Sequence, residues 1–279
     1  MLNDYKKDYP IHSIQQQFPA TVREFSPFDT RNFINGSMKI TEHRAPSTIY
    51  NTDTTRAVIG WNYGAGRVLS FTNAGGQDDF NYSIYNTLFK NAIKWVTKKP
   101  SRINVLVLHS EKDTNIDYLK QCILSIPETY VRVFNDRWTN FTGDSLLGVD
   151  LVILASHLEW IQGEDMSVTG QMSLVNFIKA GGSMITVELI LWLTGNNKLS
   201  ILADVLPAIP TSRRTARTKL YYKKTNQKPT NIYTDVSVLY AGLPEEFTWT
   251  PSVIEGTETY IIEPKPTSIS FYDSIPPIS

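Results

Sequence analysis

Three short apolar runs constrain this chain more than any other feature: "INVLVLHS" from Ile103, "GVDLVILASH" from Gly148 and "SMITVE" from Ser183. They are rich in β-branched residues and do not alternate with polar ones, so each predicts a strand buried on both faces. Between them, "NIDYLKQCILSI" sets Ile116, Leu119, Ile123 and Ile126 at helical spacing before Pro127 stops the helix. "GQMSLVNFIKAGG" predicts a second helix, ended by its Gly-Gly pair, and "TYVRVFN" a further strand. Strand, helix, strand, strand, helix, strand predicts an α/β fold: a parallel sheet with helices on both faces.

The same grammar occurs once more, upstream. "TRAVIGWNYGAGRVLSFTN" predicts two strands about a tight "YGAG" turn. "YSIYNTLFKNAIKW" then predicts a helix with Ile84, Leu88, Ala92, Trp95 and Val96 on one face. The segment that reads as the close of an α/β domain (57–97) therefore precedes the one that reads as its opening (103–204). The flanks, 1–56 and 205–279, are rich in Pro, Thr and Asn and predict irregular, β-rich segments.

Together these residues resemble the class I glutamine amidotransferase-like superfamily, nearest its trehalose-utilisation (ThuA-like) branch. "DLVILASH…FIKAGGSMITVE" is similar to that family's third strand, helix and nucleophile-bearing strand, and "YGAGRVLSFTNAGG…LFKNAIKW" to its closing strand and terminal helix. The resemblance spans about half of the chain, from Ala57 to Leu193, and implies a flavodoxin-like sheet. The inverted order has two readings: a circular permutation, or the back of one domain followed by the front of the next. The fragments "DYPIHSI" (Asp8–Ile14) and "LYAGLPEEF" (Leu239–Phe247) would suit the tandem reading. One composite sheet is preferred, since a half-domain leaves edges and apolar faces uncovered.

The resemblance implies a Cys-His-Glu triad, and this sequence departs from it. Glu188 falls at the nucleophile position, where ThuA-like proteins usually carry histidine. The family's histidine follows the "GRV" strand, and the corresponding stretch here is "TNAGGQDD", with no histidine between His43 and His109. The single cysteine, Cys122, lies in the first predicted helix of the opening half, on the wrong element for a nucleophile. No catalytic residue is expected.

Ligands of parallel sheets bind beyond the carboxyl ends of the strands. A candidate crevice there comprises His109, Glu111, His157, Glu159, Glu188 and Asn73, with Ser110 and Asp113 beside them. Two imidazoles and several carboxylates suit acid–base work or a divalent metal, but no HxH or HExxH spacing supports a metal, and none is expected. Trp160, Trp192 and Tyr63 are placed at the same edge, either to stack on a sugar or to close the crevice by packing. "TSRRTARTKLYYKKTNQK" (Thr211–Lys228) has seven basic side chains and no acidic one, which reads as a phosphate-binding run or as a solvated loop or lysine-protected hairpin edge.

With 27 basic and 27 acidic side chains, the chain offers no global charge for nucleic acid or an acidic membrane. One cysteine excludes an internal disulfide framework. The N-terminal "MLNDYKKDYPIHS" shows no signal peptide, and the longest apolar run, "MITVELILWL", is too short to span a bilayer and contains Glu188. Three sequons, at Asn35, Asn81 and Asn140, carry no argument for secretion, and the compartment stays open. The leading expectation is a non-catalytic amidotransferase-like structural or binding module, without cofactor, joined to protein partners or to its own copies. The alternatives are a ThuA-like carbohydrate-active enzyme or sugar binder, and, third, a phosphate- or nucleic-acid-binding module using residues 211–228.

Overall fold

The computed structural model describes residues 55–72, 77–109, 116–155, 165–187, 190–216, 220–225, 237–249, 258–266 and 268–274. Residues 1–54 lie outside it, as does the fragment Asp8–Ile14. The strands are β1 (Thr55–Tyr63), β2 (Gly66–Phe71), β3 (Asn104–His109), β4 (Tyr130–Val133), β5 (Leu151–Ala155), β6 (Ser183–Val187), β7 (Ala208–Ala216), β8 (Leu220–Lys224), β9 (Glu246–Trp249), β10 (Glu258–Pro264) and β11 (Ile269–Ser274). The helices are α1 (Ser83–Thr97), α2 (Asp117–Leu124), α3 (Val168–Lys179), α4 (Ile190–Gly195) and α5 (Ser237–Tyr240).

The expected α/β architecture is present. Among the described residues, nine strands form one sheet in the order β4-β3-β5-β6-β2-β1-β11-β8-β9, and β7 and β10 form a second, two-stranded sheet. From β4 to β2 the neighbours are parallel, and from β2 to β9 they are antiparallel. Counted from β3, the parallel strands run 2-1-3-4-5, consistent with a flavodoxin-like sheet. The fifth place is held by β2, which comes earlier in the chain: Arg67, Val68, Leu69 and Ser70 pair with Ser183, Met184, Ile185 and Thr186 of β6. The strand after "YGAG" thus shares a sheet with β3 and β5. Beyond β1, the C-terminal strands β11, β8 and β9 widen that sheet further.

Strand alternation divides the core into two apolar layers. Val105, Val107, Leu151, Ile153, Ile185 and Leu69 face α1 and α2. Leu106, Leu108, Val152, Leu154, Met184 and Val68 face α3 and α4. This is why the strands read as continuous apolar runs. Helix α1 buries Leu88, Ala92, Trp95 and Val96 as expected and also Tyr85, Phe89, Asn91 and Ile93. Tyr85 and Phe89 pack against Phe71 and Phe80, and Asn91 against α5, whose Leu239 carbonyl, with that of Ala241, accepts from Asn91 Nδ2 at 3.2 and 2.8 Å.

Local signals set the element ends. The β1–β2 hairpin turns at Gly64, with φ +60°, and its tip rests on the end of α3, where Ala65 N–H donates to the Lys179 carbonyl at 3.2 Å. Helix α3 starts at Ser167, whose hydroxyl accepts from Gly170 N–H. It ends in a Schellman motif: Gly182 N–H bonds the Phe177 carbonyl and Gly181 N–H that of Ile178.

Candidate functional site

The carboxyl ends of β3, β5 and β6 come level: His109 pairs with Ala155, and Ala155 with Val187. One position earlier, Thr186 Oγ1 donates to Ser70 Oγ at 2.7 Å, tying β6 to β2 through a buried hydroxyl pair. His109 is only 3% exposed, and the alternation of β3 puts it on the layer of Val105 and Val107, under α1 and α2. Glu111, His157, Glu159, Glu188 and Asn73 lie outside the described residues, as do Ser110, Asp113 and Trp160. Trp192 falls on α4.

Around the exit of β2 the described residues pack closely. Thr72 Oγ1 donates back to the Ala57 carbonyl, and the 3-10 turn Gln77–Asn81 returns Asp79 and Phe80 to the core. Phe80 meets Phe89 at 5.0 Å between ring centroids and Tyr85 at 5.3 Å, while Phe71 meets Phe89 at 5.5 Å. Asp79 is fully buried, and its charge acts on the buried Tyr222 of β8. Burial first, and Asp79 second, hold the Tyr222 phenol well above its usual range. Sequence reading missed this pair, because nothing local to "QDDF" or "LYYKK" signals that a C-terminal strand closes over the turn.

Cys122 sits on α2 between Leu119 and Ile123 in the apolar layer. Its Sγ donates to the Asn86 carbonyl at 3.7 Å, and burial pushes the thiol up to about 12 despite the opposing effect of Lys90. A thiol in that setting is a poor nucleophile at neutral pH.

The opposite, amino edge of the parallel strands carries a cleft of about 500 Å³. Thr97, Lys99, Asp144, Asp150, Phe177 and Ser183 are among its lining residues. Asp150 there accepts from Lys99 Nζ at 2.7 Å and from Asn104 N–H at 2.9 Å. Tyr63 belongs to this edge and not to the carboxyl one: β1 runs antiparallel to β2, so Tyr63 pairs with Gly66, where β2 begins. Its ring lies 5.6 Å from that of Trp61 and 6.0 Å from Lys179 Nζ.

The basic run does not form one hairpin edge. Its first part, from Thr211 to Ala216, lies within β7, which pairs with β10 in the small sheet, whereas Leu220–Lys224 is β8 of the main sheet. Lys223 Nζ pairs with Glu246 at 2.7 Å, and Lys224 Nζ donates to the Leu243 carbonyl at 2.8 Å. Among the described residues, no three His, Cys, Asp or Glu side chains gather as a metal site, and no helix is long and apolar enough to cross a membrane. Neither a family model, nor a curated protein, nor a solved structure matches this chain.

Proposed function

We propose that the chain is a non-catalytic domain of the amidotransferase-like type, nearest the ThuA-like branch, serving as a structural or binding module in a larger assembly. The observation that carries this reading is the placement of Cys122: the one thiol in the sequence is buried on α2, with its ionisation pushed up to about 12. A permuted domain is the simplest account of β2 in the fifth position of the parallel order, ahead of the strands it completes. The aromatic packing at the exit of β2, where the family's histidine would follow, supports a scaffold. So does the antiparallel extension β11-β8-β9, which turns a five-strand parallel unit into a broad sheet.

The second reading, a carbohydrate-active site, keeps one supporting observation: His109 stands at the carboxyl end of a central parallel strand. Replacing Glu188 by glutamine in the full chain separates the two. A scaffold loses only modest stability in denaturant, and neither the wild type nor Glu188→Gln releases ammonia from glutamine or cleaves a panel of glycosides. Wild-type turnover that vanishes in Glu188→Gln while the fold persists would overturn the proposal.

A further inference from the structure

The main sheet ends at β4. Among the described residues β3 pairs with it on one side and no strand lies on the other. Tyr130 N–H donates to the Ile103 carbonyl and Phe134 N–H to that of Val107, so these alternate positions turn their backbone groups to β3. Val131 and Val133 therefore point their N–H and carbonyl groups outward, and no hydrogen bond from a described backbone group reaches them. Native edges are commonly blunted by proline, lysine or a bulge. Tyr130–Val133 has no proline or lysine, and its register with β3 is unbroken.

Large apolar side chains stand exposed on both faces of this edge. Arg132 Nη2 donates to the carbonyls of Ser145 and Leu147 at 3.1 and 3.0 Å, which ties the turn before β5 to one face of β4. On that face Tyr130 is 69% exposed, and Leu147, in the turn that Arg132 holds, is 88% exposed. On the other face Val131 and Val133 are only half-buried against the layer of α1 and α2, and Leu124, the last residue of α2, is 49% exposed. A strand laid along the edge would pair the outward backbone groups and cover these side chains together.

We propose that the occupant is β4 of a second copy, antiparallel about a twofold axis at Val131, so that two main sheets join edge to edge. β4 is complementary to itself in this register. With Val131 opposite its own counterpart, both outward hydrogen bonds of that pair form, and two β-branched side chains meet on one face. On the other face Arg132 of each copy stands across from Tyr130 of the other, a guanidinium against an exposed ring, twice over. An axis at Arg132 would instead oppose the two guanidinium groups, which disfavours pairing. Such a contact uses the same patch on both copies and closes at two. This partner rests on the reading of the chain as a module of a larger assembly.

The test is sedimentation velocity of the full chain over a dilution series, with amide exchange at both ends of the series. Wild type is expected to pass from dimer to monomer on dilution. The Val131 amide should be protected in the dimer and exchange freely in the monomer, while β5 stays protected throughout. Val131→Pro deletes an N–H that β3 does not use, so it should keep the fold and abolish the dimer. Tyr130→Lys sets an ammonium against each guanidinium and should weaken association about tenfold or more, whereas Tyr130→Asp should keep or tighten it. If Val131→Pro disturbs the fold, the two Tyr130 variants still decide, at a side chain that is largely in solvent. The non-catalytic reading is decided separately, by the turnover assay with Glu188→Gln. A wild type that is monomeric at every concentration, as an unlike partner strand would leave it, overturns the proposal. So does a dimer that survives Val131→Pro, or one on which Tyr130→Lys and Tyr130→Asp act alike.

Discussion

Arg67 Nη1 donates to the main-chain carbonyl of Trp95 at 2.7 Å, and its guanidinium carbon lies 4.7 Å from the centroid of the same residue's indole. One buried side chain of the "GRV" motif therefore closes the end of α1, the helix that follows it in the chain. Ser183 of β6 completes the cap, its hydroxyl donating to the Val96 carbonyl at 2.8 Å. The motif is an assembly device: β2, β6 and α1 are locked at one corner through polar groups that bond carbonyls of the last helical turn, that of Trp95 being shared with Lys98 N–H.

Arg67→Met is the direct check on that corner. It removes a charge-assisted hydrogen bond and a partly desolvated cation–π contact, worth together about 2–4 kcal/mol. Arg67→Lys keeps the charge but not the planar fork and is expected to cost roughly half as much. Denaturant unfolding measures both. A loss below about 0.5 kcal/mol in Arg67→Met, the range of ordinary surface substitutions, would show that the cap is dispensable.

The glycines of "GAGRV" are expected to be unequal to those of exposed loops. A Cβ on Gly66 would stand 2.0 Å from the Gly182 carbonyl oxygen and 2.4 Å from that of Ile178, both backbone atoms at the Schellman end of α3. Gly66→Ala therefore demands a backbone shift where hairpin and helix meet, at about 3 kcal/mol or more. Gly148, with φ +71°, has open space around it, so Gly148→Ala carries only the left-handed penalty of about 1 kcal/mol. Parallel unfolding curves test the contrast, and equal losses would refute the close approach.

The parallel half of the fold was legible because strands buried on both faces leave uninterrupted apolar runs. Val105 and Val107 fill one layer while Leu106 and Leu108 fill the other, so no polar residue interrupts the stretch. The C-terminal strands were not legible for the opposite reason. In β8, Tyr222 is buried beside exposed Lys223 and half-buried Lys224, a pattern that a solvated basic loop shares. Only tertiary pairing with β11 and β9 distinguishes the two. Of the candidate site, the strand ends could be located from sequence, and so could the edge of Tyr63: a tight "YGAG" turn makes β1 antiparallel to β2 and sets Tyr63 at the amino end of β2, not at the carboxyl edge.

Asn91 reports on how the C-terminal segment is held. Its side-chain amide donates to the carbonyls of Leu239 and Ala241, fastening α5 to the outer side of α1. Asn91→Ala leaves both acceptors without that donor at a 6% exposed position, and a loss of about 1–3 kcal/mol is expected. Amide exchange should accelerate in residues 237–243 before it does in β3 or β5. Uniform acceleration throughout the chain would instead mean that α5 and the parallel core unfold as one unit.

Cys122 gives the last prediction, and its pH dependence carries the sign. In the folded chain burial raises the thiol from 9.0 to about 12, so between those values the unfolded chain ionises while the folded chain does not. The unfolded state then binds fewer protons, and stability falls with rising pH. The contribution is present in full below pH 9 and is lost progressively as pH approaches 12. Cys122→Ala removes that dependence along with a small apolar contact beside Leu119 and Ile123, so its unfolding curve should approach the wild type's as pH climbs above 9. At neutral pH, native wild type should resist a thiol reagent until denaturant is added. Stoichiometric labelling of native protein at pH 7, or a wild-type and Cys122→Ala difference that stays constant from pH 8 to pH 11, would place the thiol in solvent and remove the main support for a non-catalytic domain.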